Sequence, residues 1–264
     1  MGYTYMDWHN KKVLLSFDTE EFDIPIEYGQ KVSPNIQNNV SLRGLKNILK
    51  MLDRQNIIAT FFVTATFAEK NAKLVREMSK KHEIASHSYT HTPVKEGDIE
   101  KSKYVIEKII GKEVRGIRVP KFQAGFDKEI QKSGFKYNSS INPIFLPGKY
   151  NNFFEKRTVF LENGVINIPI SATPLIRFPL FWLSFKNFPK IVMKPALSIT
   201  LAYDTYLNIF FHSWEFANTS KYYKLPTYVT RVSGLDMINK LEEYVIWLKK
   251  KARFVTFSEF IGIK

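Results

Sequence analysis

The sequence contains no cysteine, which excludes disulfides, thiolate metal sites and a cysteine nucleophile. It has no apolar run long enough to cross a bilayer. Met1 to Asn10 lacks a basic region followed by an apolar stretch, so no signal peptide is expected and the expected location is cytoplasmic. Acidic residues are in deficit: 39 Lys and Arg face 25 Asp and Glu, a formal charge of +14. That excess suits an anionic partner, or it is simply a lysine-rich surface. The lysines are scattered and no compact nucleic-acid motif is present, so no nucleic-acid partner is expected. Histidine is scarce too, with five in the chain.

The 264 residues are 44% hydrophobic, enough for one large α/β domain over residues 1–264. Lys12 to Phe17 reads as a buried strand. It runs into Asp18, Glu20, Glu21 and Asp23, an unusual density of carboxylates past a strand end, although solvated turn acids would look the same. Ser41 to Gln55 carries apolar residues at helical spacing. Ile57 to Val63 is a strand rich in β-branched and aromatic residues. Thr66 to Lys80 reads as a helix and Glu83 to Ser86 as a short strand. A helix over about Val94 to Ile110 follows, with Gly111 placed to stop it. Next come a strand (Val114–Val119), a short helix (Phe126–Ser133) and a strand (Tyr137–Ser140). Val165–Ile170 and Thr205–Phe211 are further strands, Gly234–Lys251 is an amphipathic helix, and Phe254–Phe257 is a last strand. Strands alternate with helices, and the polar residues of interest sit at strand C-termini. That is the layout of a parallel α/β barrel, whose site lies at that end.

His87 and His91 follow the strand Glu83–Ser86. Two imidazoles four residues apart share a face if the chain turns helically there, and could hold one divalent metal. Spacing alone does not separate this from two ordinary histidines. Together with Asp18, Glu20, Arg118 and His212 the pair becomes a site. Two histidines and a carboxylate leave metal positions open for water and a carbonyl. A second carboxylate can act as base, a separate histidine can protonate a leaving group, and an arginine can keep the base ionised. These parts describe amide or ester hydrolysis. Taken singly, Arg118 also reads as a structural ion pair, His212 as a core histidine and Trp214 as pocket wall.

Ser-Phe-Asp18-Thr-Glu20, His87-Ser-Tyr-Thr-His91, Gly-Ile-Arg118-Val-Pro120, Tyr-Asn-Ser-Ser140 and Phe-Phe-His212-Ser-Trp-Glu resemble, in order, the five motifs of polysaccharide deacetylases. These are the NodB-like members of carbohydrate esterase family 4. The pattern looks closest to a subgroup associated with bacterial exopolysaccharide loci. The resemblance implies a distorted (β/α) barrel, usually seven-stranded, and hydrolysis of an N-acetylated sugar in a glycan or its lipid-linked precursor. It assigns Asp18 as base, His212 as acid and Arg118 as the residue that positions the base. It assigns His87 and His91 as ligands of a divalent metal, expected to be Zn²⁺. Thr19 replaces the usual second aspartate, so the third ligand is expected to be Glu20. Asn138 replaces a frequent aspartate, and Glu215 is a substitute partner for the acid. Thr19, Pro120 and Trp214 are expected to line the substrate pocket. The alternatives are an allantoinase-like hydrolase of a small amide and a non-catalytic glycan-binding relative. A Pro- and aromatic-rich insertion at about 174–195 is expected either to touch the inner membrane face peripherally, or to form a lid or a homodimer interface.

Overall fold

The structure is a computed structural model describing residues 10–148, 150–219 and 224–263. Its main sheet contains β1 (Lys12–Thr19), β2 (Thr60–Val63), β3 (Glu83–Ser86), β4 (Gly116–Ile117), β5 (Tyr137–Asn138), β8 (Phe160–Glu162), β9 (Val165–Asn167), β10 (Tyr206–His212) and β11 (Arg253–Phe254). The strands β6 (Phe145–Leu146) and β7 (Tyr150–Asn151) form a separate antiparallel pair. The order β10-β1-β2-β3-β4-β5-β9 is parallel throughout, β8 adds antiparallel to β9, and β11 pairs with the start of β1. The gap between β9 and β10 has no ladder and is bridged at Asn208. Its Nδ2 donates to the carbonyls of Ile168 and Pro169 at 3.1 and 3.0 Å, its backbone N–H donates to Ser171 Oγ at 2.8 Å, and its carbonyl accepts from Ser171 N–H at 2.9 Å. This is a distorted barrel, closed there by these few bonds rather than by a strand ladder.

Helices cover the outer face: α1 (Ile24–Glu27), α2 (Pro34–Gln55), α3 (Ala65–Lys70), α4 (Ala72–Met78), α5 (Asp98–Ile110), α6 (Asp127–Lys132), α7 (Trp182–Asn187), α8 (Lys190–Asp204), α9 (Thr227–Thr230), α10 (Gly234–Lys249) and α11 (Phe257–Phe260). β1 is buried on both faces, as a central parallel strand must be. Its two faces carry different chemistry, because successive side chains alternate. Val13, Leu15 and Phe17 join the core beneath the helices, whereas Leu14 joins the inner cluster with Phe62, Ala85 and Tyr137. Ser16 and Asp18 continue that inward row.

Several sequence expectations change in extent. The helix expected over Thr66–Lys80 is two, broken at Asn71, whose side chain bonds Phe67 O and Asn38. The helix expected from Val94 starts at Asp98, after Gly97 in the left-handed region (φ +84°), and Gly111 (φ +69°) ends it. Phe257 opens a helix turn capped by Thr256 rather than ending a strand. The segment at about 174–195 folds back: Phe181, Trp182 and Phe185 are 2%, 8% and 0% exposed, because α7 packs against β10 and α10. These aromatics are therefore core and pocket wall, not the exposed membrane-facing residues that a bilayer contact through them requires.

Candidate active site

The inward row of β1 ends in the site. Asp18 pairs in register with His212 at the end of β10, so residues 194 positions apart are strand neighbours. Glu20, two residues on, shares the side of Asp18, while Thr19 points the other way. Thr19 is fully buried and does not line the site, which corrects the pocket expectation for it. Pro120 is likewise buried outside the lining, because Val119, Lys121 and Phe122 present themselves there instead. Trp214 does line it.

Asp18 Oδ1 accepts from Arg118 Nη1 at 2.7 Å. The Arg118 guanidinium is fully buried and also donates to Ser16 Oγ (3.1 Å), Ser139 Oγ (3.0 Å) and Ser139 O (3.3 Å), with the Phe62 ring 4.1 Å from its centre. Burial lowers the Arg118 pKa, and the Asp18 carboxylate opposes this. One Asp18 oxygen is thus fixed and the carboxylate is aimed.

His87 and His91 do not lie on a helix. Residues 87–93 form an irregular loop, with Ser88 in the left-handed region (φ +66°) and its carbonyl accepting from Ala65 N–H at 3.0 Å. The two rings nevertheless stack, centroids 5.8 Å apart. His87 Nδ1 lies 2.6 Å from the Arg118 carbonyl, which can only accept, so Nδ1 carries the proton. His91 Nδ1 donates to Asp23 Oδ2 at 2.7 Å. Both Nε2 atoms then present lone pairs to one carboxylate oxygen, Glu20 Oε2, at 3.0 and 3.1 Å. The other oxygen, Oε1, accepts from Trp214 Nε1 at 3.1 Å. Two lone pairs and an anionic oxygen converging this closely need a proton or a cation between them.

The donor set fits a divalent metal. Among the described residues, Glu20, His87 and His91 form a cluster whose ligand atoms lie within 4.8 Å of one another. Ligands of a tetrahedral zinc stand about 3.3 Å apart, given bonds of about 2.0–2.1 Å. The Nδ1 partners, a backbone carbonyl and Asp23, are the usual outer supports of ligating imidazoles. Burial would lower the His91 imidazole, but Glu20 and Asp23 outweigh it and raise its pKa to about 9. Burial would raise the Glu20 carboxyl, but the surrounding imidazoles hold it well below the usual range.

His212 faces this cluster from the opposite side. Its ring stacks on Trp214 and meets the edge of Trp182, each at 5.1 Å. Glu215 Oε1 accepts from the His212 backbone N–H at 2.6 Å and lies 3.1 Å from Nδ1. Glu215 Oε2 is paired with Lys186 Nζ at 3.2 Å, and that ammonium also donates to Val229 O at 2.9 Å. Burial would lower the His212 pKa, but Glu20, Glu215 and Asp18 raise it, which favours a protonated ring. Asn138 bonds Asn167 and Ser140 instead, and Glu215 is the carboxylate beside His212 Nδ1. The cavity between these groups measures about 420 Å³ and is rimmed by Tyr28, Lys121, Phe122, Tyr150 and Tyr228.

Asp23 and Lys186 escaped sequence reasoning. In the sequence Asp23 has no role within the acidic run, and Lys186 reads only as one of the cations interleaved with the aromatics of the 174–195 segment.

A parallel barrel presenting a buried carboxylate, a His-His-carboxylate cluster and a further histidine at its strand ends holds the parts that amide or ester hydrolysis needs. Residues 8–137 match the family model of polysaccharide deacetylases. No curated protein matches the chain. Solved structures share the fold at low identity. A peptidoglycan N-acetylglucosamine deacetylase is 18% identical, with 99% of this chain and 91% of that one covered at a TM-score of 0.55. A probable polysaccharide deacetylase from Pseudomonas aeruginosa is 14% identical, covering 96% and 90% at 0.63. An allantoinase is 15% identical, covering 97% and 90%, also at 0.63.

Proposed function

We propose that the protein hydrolyses the N-acetyl group of an amino sugar in a glycan or its lipid-linked precursor, releasing acetate and a free amine. The observation that carries this reading is the placement of Asp18 and His212 as strand neighbours flanking the Glu20–His87–His91 cluster. A divalent cation held by those three residues, Zn²⁺ by donor type, would polarise the acetyl carbonyl and acidify a water. Asp18, its orientation set by Arg118, takes the proton of the attacking water. His212, kept charged by its carboxylate neighbours, gives a proton to the departing amine nitrogen. Trp182, Trp214 and Phe210 form an apolar wall beside His212 that suits the acetyl methyl and limits water. The Asp-x-Glu, Arg-x-Pro-x-Phe and His-x-Trp-Glu motifs support a place in the exopolysaccharide-associated subgroup.

The test is metal analysis of the purified protein combined with acetate release from a panel of N-acetylated oligosaccharides. Bound zinc and amide cleavage are expected. Replacing both His87 and His91 by alanine should abolish metal retention, and Glu20→Gln should weaken it. Full metal occupancy in the double variant would overturn the ligand assignment. Turnover of allantoin in place of any glycan would move the protein to the small-amide branch.

A further inference from the structure

The outer face of α8 is mostly apolar. Beside Lys190, its exposed residues are Ile191, Val192, Pro195, Ile199, Ala202 and Tyr203, and Ile191 and Tyr203 are 82% and 73% exposed. Its inner residues Met193, Leu197, Thr200 and Leu201 pack on the barrel, so this helix is apolar almost all round yet covered on one side only. The same surface extends through the Phe178–Phe188 ring contact, at 5.0 Å, to the loop where Leu175 and Ile176 are 85% and 68% exposed. A contiguous apolar surface of this kind marks a contact site.

We infer that this face docks on an anionic lipid bilayer. Charge selects that occupant over a second copy of the chain. Each copy bears +14, so two copies repel whereas an anionic surface attracts. The charges bordering the face point the same way. Lys194 on α8 and Lys251 meet at the Trp247 ring. The nearby acids are offset by their own partners, Glu243 by Lys190 and Asp204 by Arg157, which leaves Lys194 and Lys251 in excess. Aromatic and aliphatic side chains flanked by lysines form the pattern of an interfacial helix. α8 also leads directly into β10, which ends in His212, and follows α7, which supplies Trp182 to the cavity wall. The docked helix therefore holds the flank of the cavity beside the membrane, which suits a lipid-linked glycan, a refinement that rests on the deacetylase reading. The docking itself does not depend on that reading.

Vesicle co-sedimentation tests the inference without substrate. The wild type should pellet with phosphatidylcholine vesicles containing phosphatidylglycerol, stay in solution with phosphatidylcholine alone, and be released by high salt. The variant Ile191→Ser, Ile199→Ser, Tyr203→Ser alters only exposed positions. It should keep the wild-type melting temperature and lose about tenfold or more in vesicle binding. Three results overturn the inference: no pelleting of the wild type at low salt, equal pelleting of the variant, or a wild-type dimer in light scattering that the variant abolishes while vesicles are ignored. The last result assigns the face to a second copy.

Discussion

The His212 Nδ1 lies against the Glu215 carboxylate, and that carboxylate is held by a lysine buried among tryptophans. Lys186 Nζ lies 5.3 and 5.4 Å from the Trp182 and Trp214 ring centres, and burial lowers its pKa against the pull of Glu215. Removing it would leave Glu215 Oε2 buried without its cation, a state that favours protonation of the carboxyl and loosens its grip on Nδ1. Lys186→Met and Glu215→Gln should therefore slow amide cleavage about tenfold or more, while a 4-nitrophenyl acetate, whose leaving group needs no proton, keeps a rate within about twofold. Equal losses on both substrates would mean a general structural role. For the base the expectation differs. Asp18→Asn should retain fold and metal and lose about 100-fold or more in rate on both substrates, as removal of a positioned general base does. Wild-type rates in Asp18→Asn would remove it from the mechanism.

Elements reach the site through close backbone approaches. Gly44 lies in the middle of α2 against the turn Ser213–Phe216, and a Cβ there would stand 2.0 Å from the Ser213 carbonyl oxygen. Asn47, one turn along the same helix, donates to Phe216 O at 3.0 Å. α2 thus rests directly on the residues that follow His212, and the glycine is what permits the contact. Gly44→Ala should destabilise the protein by about 1–3 kcal/mol, the range of overpacked cores. It should also lower activity beyond what the folded fraction explains, because the turn that carries Glu215 must shift. A thermal melt read alongside the rate at low temperature checks this; a variant with unchanged melting and rate would show that α2 can retreat freely.

At the scale of the molecule, acid sensitivity has an identifiable contributor away from the site. His82 is 7% exposed, sits edge-on to Phe61 at 5.3 Å, and has its pKa lowered to about 4, chiefly by burial and further by Lys81. Between its ordinary 6.5 and about 4, the unfolded chain binds a proton that the folded chain refuses. Its stabilisation is therefore complete above pH 6.5 and lost as pH falls toward 4. The size is at most about 3 kcal/mol, from about 1.4 kcal/mol per pKa unit. Denaturant melts of wild type and His82→Gln across this window should show a shallower fall in the variant, and parallel curves would exclude His82 as the cause.

The alternation of strands and helices, the barrel class and six residues that line one cavity were legible in the chain because each rests on local pattern. Period-two and helical spacing survive in the sequence, and the ordered motifs carry Asp18, Glu20, His87, His91, Arg118 and His212. The short strands β4 and β5 and the break at Asn71 were blurred, since neighbours across the sheet decide where a ladder starts and stops. Thr19 and Glu20 illustrate the division. Their types stand in the sequence, but only the pleat of β1 decides that one faces the helices and the other the cavity. Asp23 and His91 meet across 68 residues, and Lys186 and Glu215 across the chain from α7 to the end of β10. No local signal marks such pairs, because a carboxylate or lysine reads the same whether solvated or engaged. The segment at about 174–195 is the clearest case. Its aromatics promised burial, but burial in lipid, in a partner and in the chain's own core select the same side chains. Tertiary packing assigned Phe181, Trp182 and Phe185 to the core and left the outer residues of α8 to the surface.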